Sequence, residues 1–185
     1  MSADEPIGGG NRSHGFAPIS DARTRLLILG SLPGGASLAA GRYYANPRNG
    51  FWSLVGGAIG EDLVAMTYER RLAALVDAGI GLWDVVASAE RPGSLDAAIR
   101  DAEPADLVRL VSGLPALQAI AFNGALAARL GRRILGEEGC LRSGVALIDL
   151  PSSSPAHARP LAEKALRWMA LSVYGMASNP EAETR

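Results

Sequence analysis

The stretch RLLILGSLPGGASLAAGRYYANPRNGFW, residues 25–52, runs from an apolar segment through a glycine-rich turn into a cluster of rings and amides. Arg25 to Gly30 has the unbroken apolar character of a strand buried on both faces. Between Arg42 and Trp52 the chain then sets two tyrosines, two asparagines, two arginines, Phe51 and Trp52. Ordinary connecting loops are small and polar. This one carries the flat faces and amide edges of a pocket that grips something planar. Phe51 and Trp52 open a helix near residues 51–59 and read as core, which leaves Tyr44 and Asn49 with chemistry to spare.

Working outward, the pattern alternates. A helix over 68–78 carries Leu72, Leu75 and Val76 on one face. GIGLWDVV (79–86) reads as a second strand, SAERPGS as a polar loop, and 104–111 as the opening of another helix. LQAIAF (117–122) is a third strand, FNG a turn and 125–135 a helix. VALIDL (145–150) is the fourth strand, PSSSPAH a turn and 159–174 the closing helix. Strands alternating with helices predict an α/β fold, a three-layer α/β/α sandwich with a central four-stranded parallel sheet. Ligands of such sheets bind beyond the carboxyl ends of the strands. The loops GSLPGG, WDVV, FNG and PSSSPAH all leave from those ends and should meet on one rim. Residues 1–20 read as a flexible lead-in, 21–176 as a single domain and 177–185 as a flexible tail.

The bulk properties narrow the class. A chain of 185 residues with 48% hydrophobic content is globular. No apolar run approaches a membrane span of ~18 residues, and the N-terminus, with Asp4 and Glu5, is not a signal peptide. The single cysteine, Cys140, excludes an internal disulfide and a cysteine metal cluster. These features predict a cytoplasmic protein. A net charge of −1 does not announce a nucleic-acid binder. Lys164 is the sole lysine, expected on the closing helix away from the rim, which disfavours Schiff-base chemistry.

The rim loops admit more than one reading. GSLPGGAS lacks the GK[ST] of a Walker loop and the GxGxxG spacing, and can be a plain strand-to-loop turn. One hydroxyl in PSSSPAH suffices as a helix cap, whereas three in a row also suit phosphate contacts. His157 is a capping, surface or catalytic histidine. Tyr44 offers a ring on which a base can stack. The Asn49 amide can orient a base edge or a water, or it can cap the helix that starts at Phe51. Arg48 and Arg159 flank the two motifs as phosphate-binding cations, and Arg48 has a structural ion pair as its alternative.

Taken together, GSLPGGAS, YYANPRNGFW, the strand ending GLWDVV and the PSSSPA turn resemble the uracil-DNA glycosylase superfamily. The likeness is strongest to its hypoxanthine-DNA (deoxyinosine) branch, with similarity also to the mismatch-specific uracil-DNA glycosylases. The resemblance spans roughly residues 26–174. It implies a monofunctional DNA glycosylase that hydrolyses the N-glycosidic bond of hypoxanthine or uracil flipped out of DNA, with neither metal nor organic cofactor. Leu32 stands where the superfamily keeps a water-activating aspartate or asparagine, and Leu150 where a histidine or asparagine stabilises the departing base. Leucine can do neither, so the resemblance moves the catalytic part to Asn49. It sets Tyr44, Asp84, Ser31 and Leu32 around the base. It assigns Ser37, Arg48, Asn123, Ser152, Ser153, Ser154, Pro155, Ala156, His157 and Arg159 to the DNA, with the protein a monomer. The alternative is a DNA-binding module of the same fold that has lost catalysis. Gly34, Gly35 and Ala36 leave room for a purine, but the same small residues also suit a tight turn around uracil.

Overall fold

The computed structural model describes residues 12–137 and 141–175. Residues 1–11, the tail from 177 and Cys140 lie outside them. In chain order the elements are Arg12–His14 (β1), Leu26–Gly30 (β2), Gly35–Ala40 (α1), Phe51–Ile59 (α2), Tyr68–Asp77 (α3), Ile80–Asp84 (β3), Val86–Glu90 (β4), Arg100–Pro104 (β5), Leu107–Ser112 (α4), Ala119–Asn123 (β6), Ala125–Glu137 (α5), Ala146–Leu150 (β7), Leu161–Trp168 (α6) and Ser172–Gly175 (α7).

The central sheet has the order β3-β2-β6-β7 and every pairing in it is parallel. β2 is apolar throughout because it is buried on both faces. Leu26 and Ile28 enter the core shared with α2 and α6, while Leu27 and Leu29 enter the core shared with α4 and α5, as the two-residue period of a strand requires. Helices thus cover both faces, giving the expected α/β/α sandwich. Register then aligns the carboxyl ends: Gly30 pairs with Asp84, and Asn123 with Leu150. Four loops therefore leave the sheet at one level.

A second sheet, antiparallel and ordered β1-β4-β5, departs from the sequence expectation. The SAERPGS segment, expected to be a loop, begins inside β4. After Asp84 the chain swings out of the parallel sheet, with Val85 and Val86 donating to the carbonyls of Gly30 and Ser31 at 2.9 and 3.0 Å. β5 is exposed at every position, so backbone pairing rather than an apolar face holds it, and its sequence carries no periodicity to read. Residues 12–20, expected within a flexible lead-in, are also paired: Arg12 faces Glu90 and Ile19 bridges Leu82. The helix expected from Pro104 starts at Leu107, where Asp106 accepts from the Arg109 amide at 3.1 Å. The closing helix begins at Leu161, just after Pro160, and passes through a 3₁₀ turn at Met169–Leu171 into α7.

Glycines of the covering helices differ in whether they face the sheet or solvent. A Cβ built on Gly131 of α5 would lie 2.4 Å from the Phe122 ring, whereas one on Gly57 of α2 meets nothing within 4 Å. Helix propensity favours alanine over glycine by about 1 kcal/mol at both sites. Overpacking at Gly131 opposes it with about 1–3 kcal/mol. Urea denaturation of Gly131→Ala should therefore show a net loss of stability, and of Gly57→Ala a gain of about 0.5–1 kcal/mol.

Candidate active site

Asn123, the last residue of β6, is buried and organises the rim. Its Nδ2 donates to the Tyr44 hydroxyl at 3.1 Å and to Ser153 Oγ at 2.9 Å, and its Oδ1 accepts from the Ser153 amide at 2.8 Å. One side chain thereby joins three loops that are distant in sequence. Gly50 adds a further link, donating its N–H to the Ser153 carbonyl at 3.0 Å.

Tyr44 sits in the left-handed region at φ 51°, a conformation that costs a non-glycine residue on the order of 1 kcal/mol and persists where surroundings enforce it. Here they do. Phe51 stacks on one face of the ring with centroids 3.7 Å apart and planes 6° from parallel. Trp52 Nε1 donates to the Tyr44 carbonyl at 3.3 Å, and Ser37 Oγ accepts from the Ala45 amide at 3.2 Å. Among the described residues no ring stacks on the opposite face of Tyr44. Burial, followed by the nearby Asp84, holds its hydroxyl well above the usual tyrosine range, so it stays protonated. Phe51 and Trp52 are core residues.

Asn49 is half-buried and its Oδ1 accepts from the Phe51 amide at 3.0 Å. The capping bond weighed from the sequence is thus present, made from the residue before Gly50, which occupies the N-cap position of α2. The bond also fixes the amide plane. Oδ1 retains a second lone pair and Nδ2 two donor hydrogens, so the group is a preoriented dipole.

Asp84 ends β3 with its carboxyl 4% exposed as a residue, and Oδ2 has no hydrogen-bond partner. Its Oδ1 occupies the space beside Gly30, where a Cβ would come within 2.4 Å of it and 3.1 Å of the Tyr44 hydroxyl. Burial pushes the carboxyl up to about 7, with Arg91 opposing the rise and Asp96 adding to it. Arg91 and Asp96 come from the loop after β4 and were not singled out from the sequence, since a lone arginine in a polar loop carries no distinguishing pattern. Arg91 is buried and donates to the carbonyls of Leu32 (3.2 Å) and Pro33, clamping the first loop from below. Ser31 Oγ donates to Asp96 at 2.6 Å. Leu32 itself is buried in the second core. Ser94 Oγ accepts from the Gly35 amide at 2.9 Å and lies against Gly34, so the space beside these glycines faces the loop after β4.

The serine turn is built largely for itself. Ser152 Oγ accepts from Ser154 N and Ser154 Oγ from Ala156 N, both at 3.2 Å, and Ser153 is buried. Of the residues assigned to DNA, Ser37, Asn123 and Ser153 are interior braces of the rim. Pro155, Ala156, Arg159 and Arg48 are exposed, and among the described residues neither arginine has an ion-pair partner. Among the described residues Arg48 thus makes no structural ion pair, its alternative role. His157 is half-buried with an unpartnered Nδ1. Lys164, expected away from the rim, reaches it: the buried Nζ donates to the Ser154 carbonyl at 3.0 Å. Trp168 Nε1 supports the same turn through the Pro151 carbonyl at 3.0 Å.

A buried acid with a raised pKa makes stability depend on pH. Between its ordinary 3.8 and about 7 the folded chain keeps a proton that the unfolded chain has released. Its contribution is full below the ordinary value and is lost as pH rises through about 7. Asp84→Asn removes this titration. The unfolding free energy of the variant relative to wild type should rise by about 1–4 kcal/mol from pH 4 to pH 8, read from urea midpoints. A difference constant across that range would refute the burial account of Asp84.

The geometry can be compared with known proteins. A family model of the uracil DNA glycosylase superfamily matches residues 17–172. A protein of Methanosarcina acetivorans named hypoxanthine DNA glycosylase is 43% identical over 159 residues, covering 85% of this chain and 96% of the relative. A protein of the same name from Methanosarcina barkeri is 40% identical over the same shares. A solution NMR structure described as a candidate uracil DNA glycosylase from Methanosarcina acetivorans superposes with a TM-score of 0.76 at 40% identity, covering 87% of this chain and 96% of that one. On sequence and fold alike, the chain belongs to the uracil DNA glycosylase superfamily.

Proposed function

We propose that the protein is a monofunctional DNA glycosylase that excises a deaminated base, hypoxanthine foremost and uracil as a second substrate, and leaves an abasic site. The observation that carries the reading is the meeting of Tyr44, backed by Phe51, with the unpartnered Asp84 carboxyl at the edge of the sheet. The two relatives named hypoxanthine DNA glycosylase support hypoxanthine as the first substrate, and the description of the solved structure, which names uracil, supports uracil as the second. No helix among the described residues is long and apolar enough to cross a membrane; the proposal keeps the monomer and the cytoplasmic location expected from the sequence.

The base must leave the stack before its glycosidic bond can be reached. Extruded, it lies on the free face of Tyr44 with its polar edge toward Asp84. Water attacks C1′, the bond to the base nitrogen breaks, and the base departs with the electron pair while the water proton balances the charge. Asn49 orients the water or steadies the separating charges through its fixed dipole, a preorganised contribution that needs no strong base. Asp84, pushed up to about 7, is protonated in a large fraction at neutral pH and can donate to the base as it gains negative charge. Ser31 and the Leu32 backbone form the floor beside it. Pro155 and Ala156 press on the duplex, while Ser152, Ser154, His157 and Arg159 meet its phosphates. Lys164 is tied to the Ser154 carbonyl, which supports hydrolysis without a lysine adduct.

The test uses purified protein with duplexes holding one deoxyinosine or one deoxyuridine, followed by alkali. Base release should be fastest from deoxyinosine, with the strand nicked only after alkali; no release from either duplex would refute the reading. Asn49→Ala should slow single-turnover release by about a hundredfold or more, the scale of one lost preorganised dipole, with DNA affinity little changed. Asn49→Ser keeps an oxygen for the Phe51 amide. If it stays nearly fully active, Asn49 serves α2 and not the chemistry.

A further inference from the structure

Beside the rim lies a cleft of about 790 Å³ whose lining runs from Tyr44 and Asn49 back to α3. Asp84, Asn123 and Ser153 do not line it, so it lies on the outer side of the Tyr44 loop. Arg42, Arg48 and Arg71 all line it, and among the described residues no aspartate or glutamate does. In a chain of net charge −1 this is a local concentration of one sign. Low-dielectric walls focus such a field, and here the walls are Trp52 and Tyr68.

Each arginine is held so that its charge stays available. Arg71 donates to the carbonyls of Met66 and Val64 at 3.1 and 2.9 Å and stacks 5.2 Å over Trp52. Carbonyls fix it without cancelling its charge. Arg42 lies 5.3 Å over the Tyr68 ring. Its ion pair with Glu69 is long, at 3.6 Å, with the two side chains 54% and 72% exposed, so water and salt weaken it. Arg48 is exposed on a turn fixed by the 3.0 Å bond from its amide to Asn46 Oδ1. Planar guanidinium groups with free donors are suited to phosphate.

We propose that this cleft binds backbone phosphates of the DNA strand that carries the target base, holding the nucleotides beside the extruded one along the outer face of the Tyr44 loop. The inference rests on the glycosylase reading and adds a second DNA-binding surface to the serine turn. Loop and strand then support each other: phosphates held at Arg42 and Arg48 press the nucleotide toward Tyr44.

The test is the salt dependence of binding to a fluorescein-labelled duplex with one deoxyinosine, for wild type, Arg42→Gln/Arg48→Gln, Arg48→Gln alone and, as a control on α5, Arg133→Gln. Arg71 is left in place because it also braces the turn before α3. Removing a cation that neutralises one phosphate should lower the slope of log K against log salt by about 0.9. Arg48→Gln should therefore reduce the slope by roughly 1, the double variant by roughly 2 with weaker binding at low salt, and the control not at all. Slopes equal to wild type in both Arg48 variants, with melting temperatures unchanged, would overturn the proposal. A wild-type protein that binds the duplex but releases no base would count against the glycosylase reading and leave the slope comparison intact.

Discussion

The rim of this molecule depends on the Asn123 side chain. A parallel sheet delivers loops to one edge but does not say how they sit relative to one another. Asn123 settles that with three hydrogen bonds, two to Ser153 and one to the Tyr44 hydroxyl. A buried amide left unpaired would cost about 1–3 kcal/mol, so these partners are strongly selected once β6 is in register. The left-handed backbone of Tyr44, its stack on Phe51 and the link from Gly50 to Ser153 all depend on the loops being drawn together there.

Against this satisfied network stands an unsatisfied one. The second sheet turns Arg91 beneath the first loop, where the guanidinium holds two carbonyls but its Nε and the Asp84 Oδ2 both remain without partners. Buried polar groups are ordinarily paired, and an exception calls for a reason. A site that must bind a polar base edge gives one, because the missing partner then belongs to the ligand. Tyr44, by contrast, is tied to the protein through its hydroxyl, which suits a wall rather than a reacting group.

Much of this was legible in the sequence. The parallel sheet was, because β2 is an unbroken apolar run and β6 is apolar up to Asn123, a pattern that burial on both faces explains. The meeting of the four loops followed from topology alone. The antiparallel sheet was not, because β5 is five exposed residues paired through their backbones, and such a strand has no pattern. Nor could residue type separate a hydroxyl or amide that meets DNA from one that braces a loop. Ser37, Ser153 and Asn123 read as surface chemistry and are interior struts. The same holds for Lys164: its helix position is readable, but the reach of its side chain under the serine turn is a matter of tertiary packing.

Asn123 and Tyr44 act as one unit, joined through the Tyr44 hydroxyl. A double-mutant cycle tests it most directly, using Asn123→Ala, Tyr44→Phe and their combination, with unfolding free energy and single-turnover release from a deoxyinosine duplex measured on all four proteins. Tyr44→Phe removes the hydroxyl and leaves the ring. The account predicts a coupling of about 0.5–3 kcal/mol in stability, with the double variant releasing base little more slowly than Asn123→Ala alone. Strictly additive effects in both measurements would contradict it.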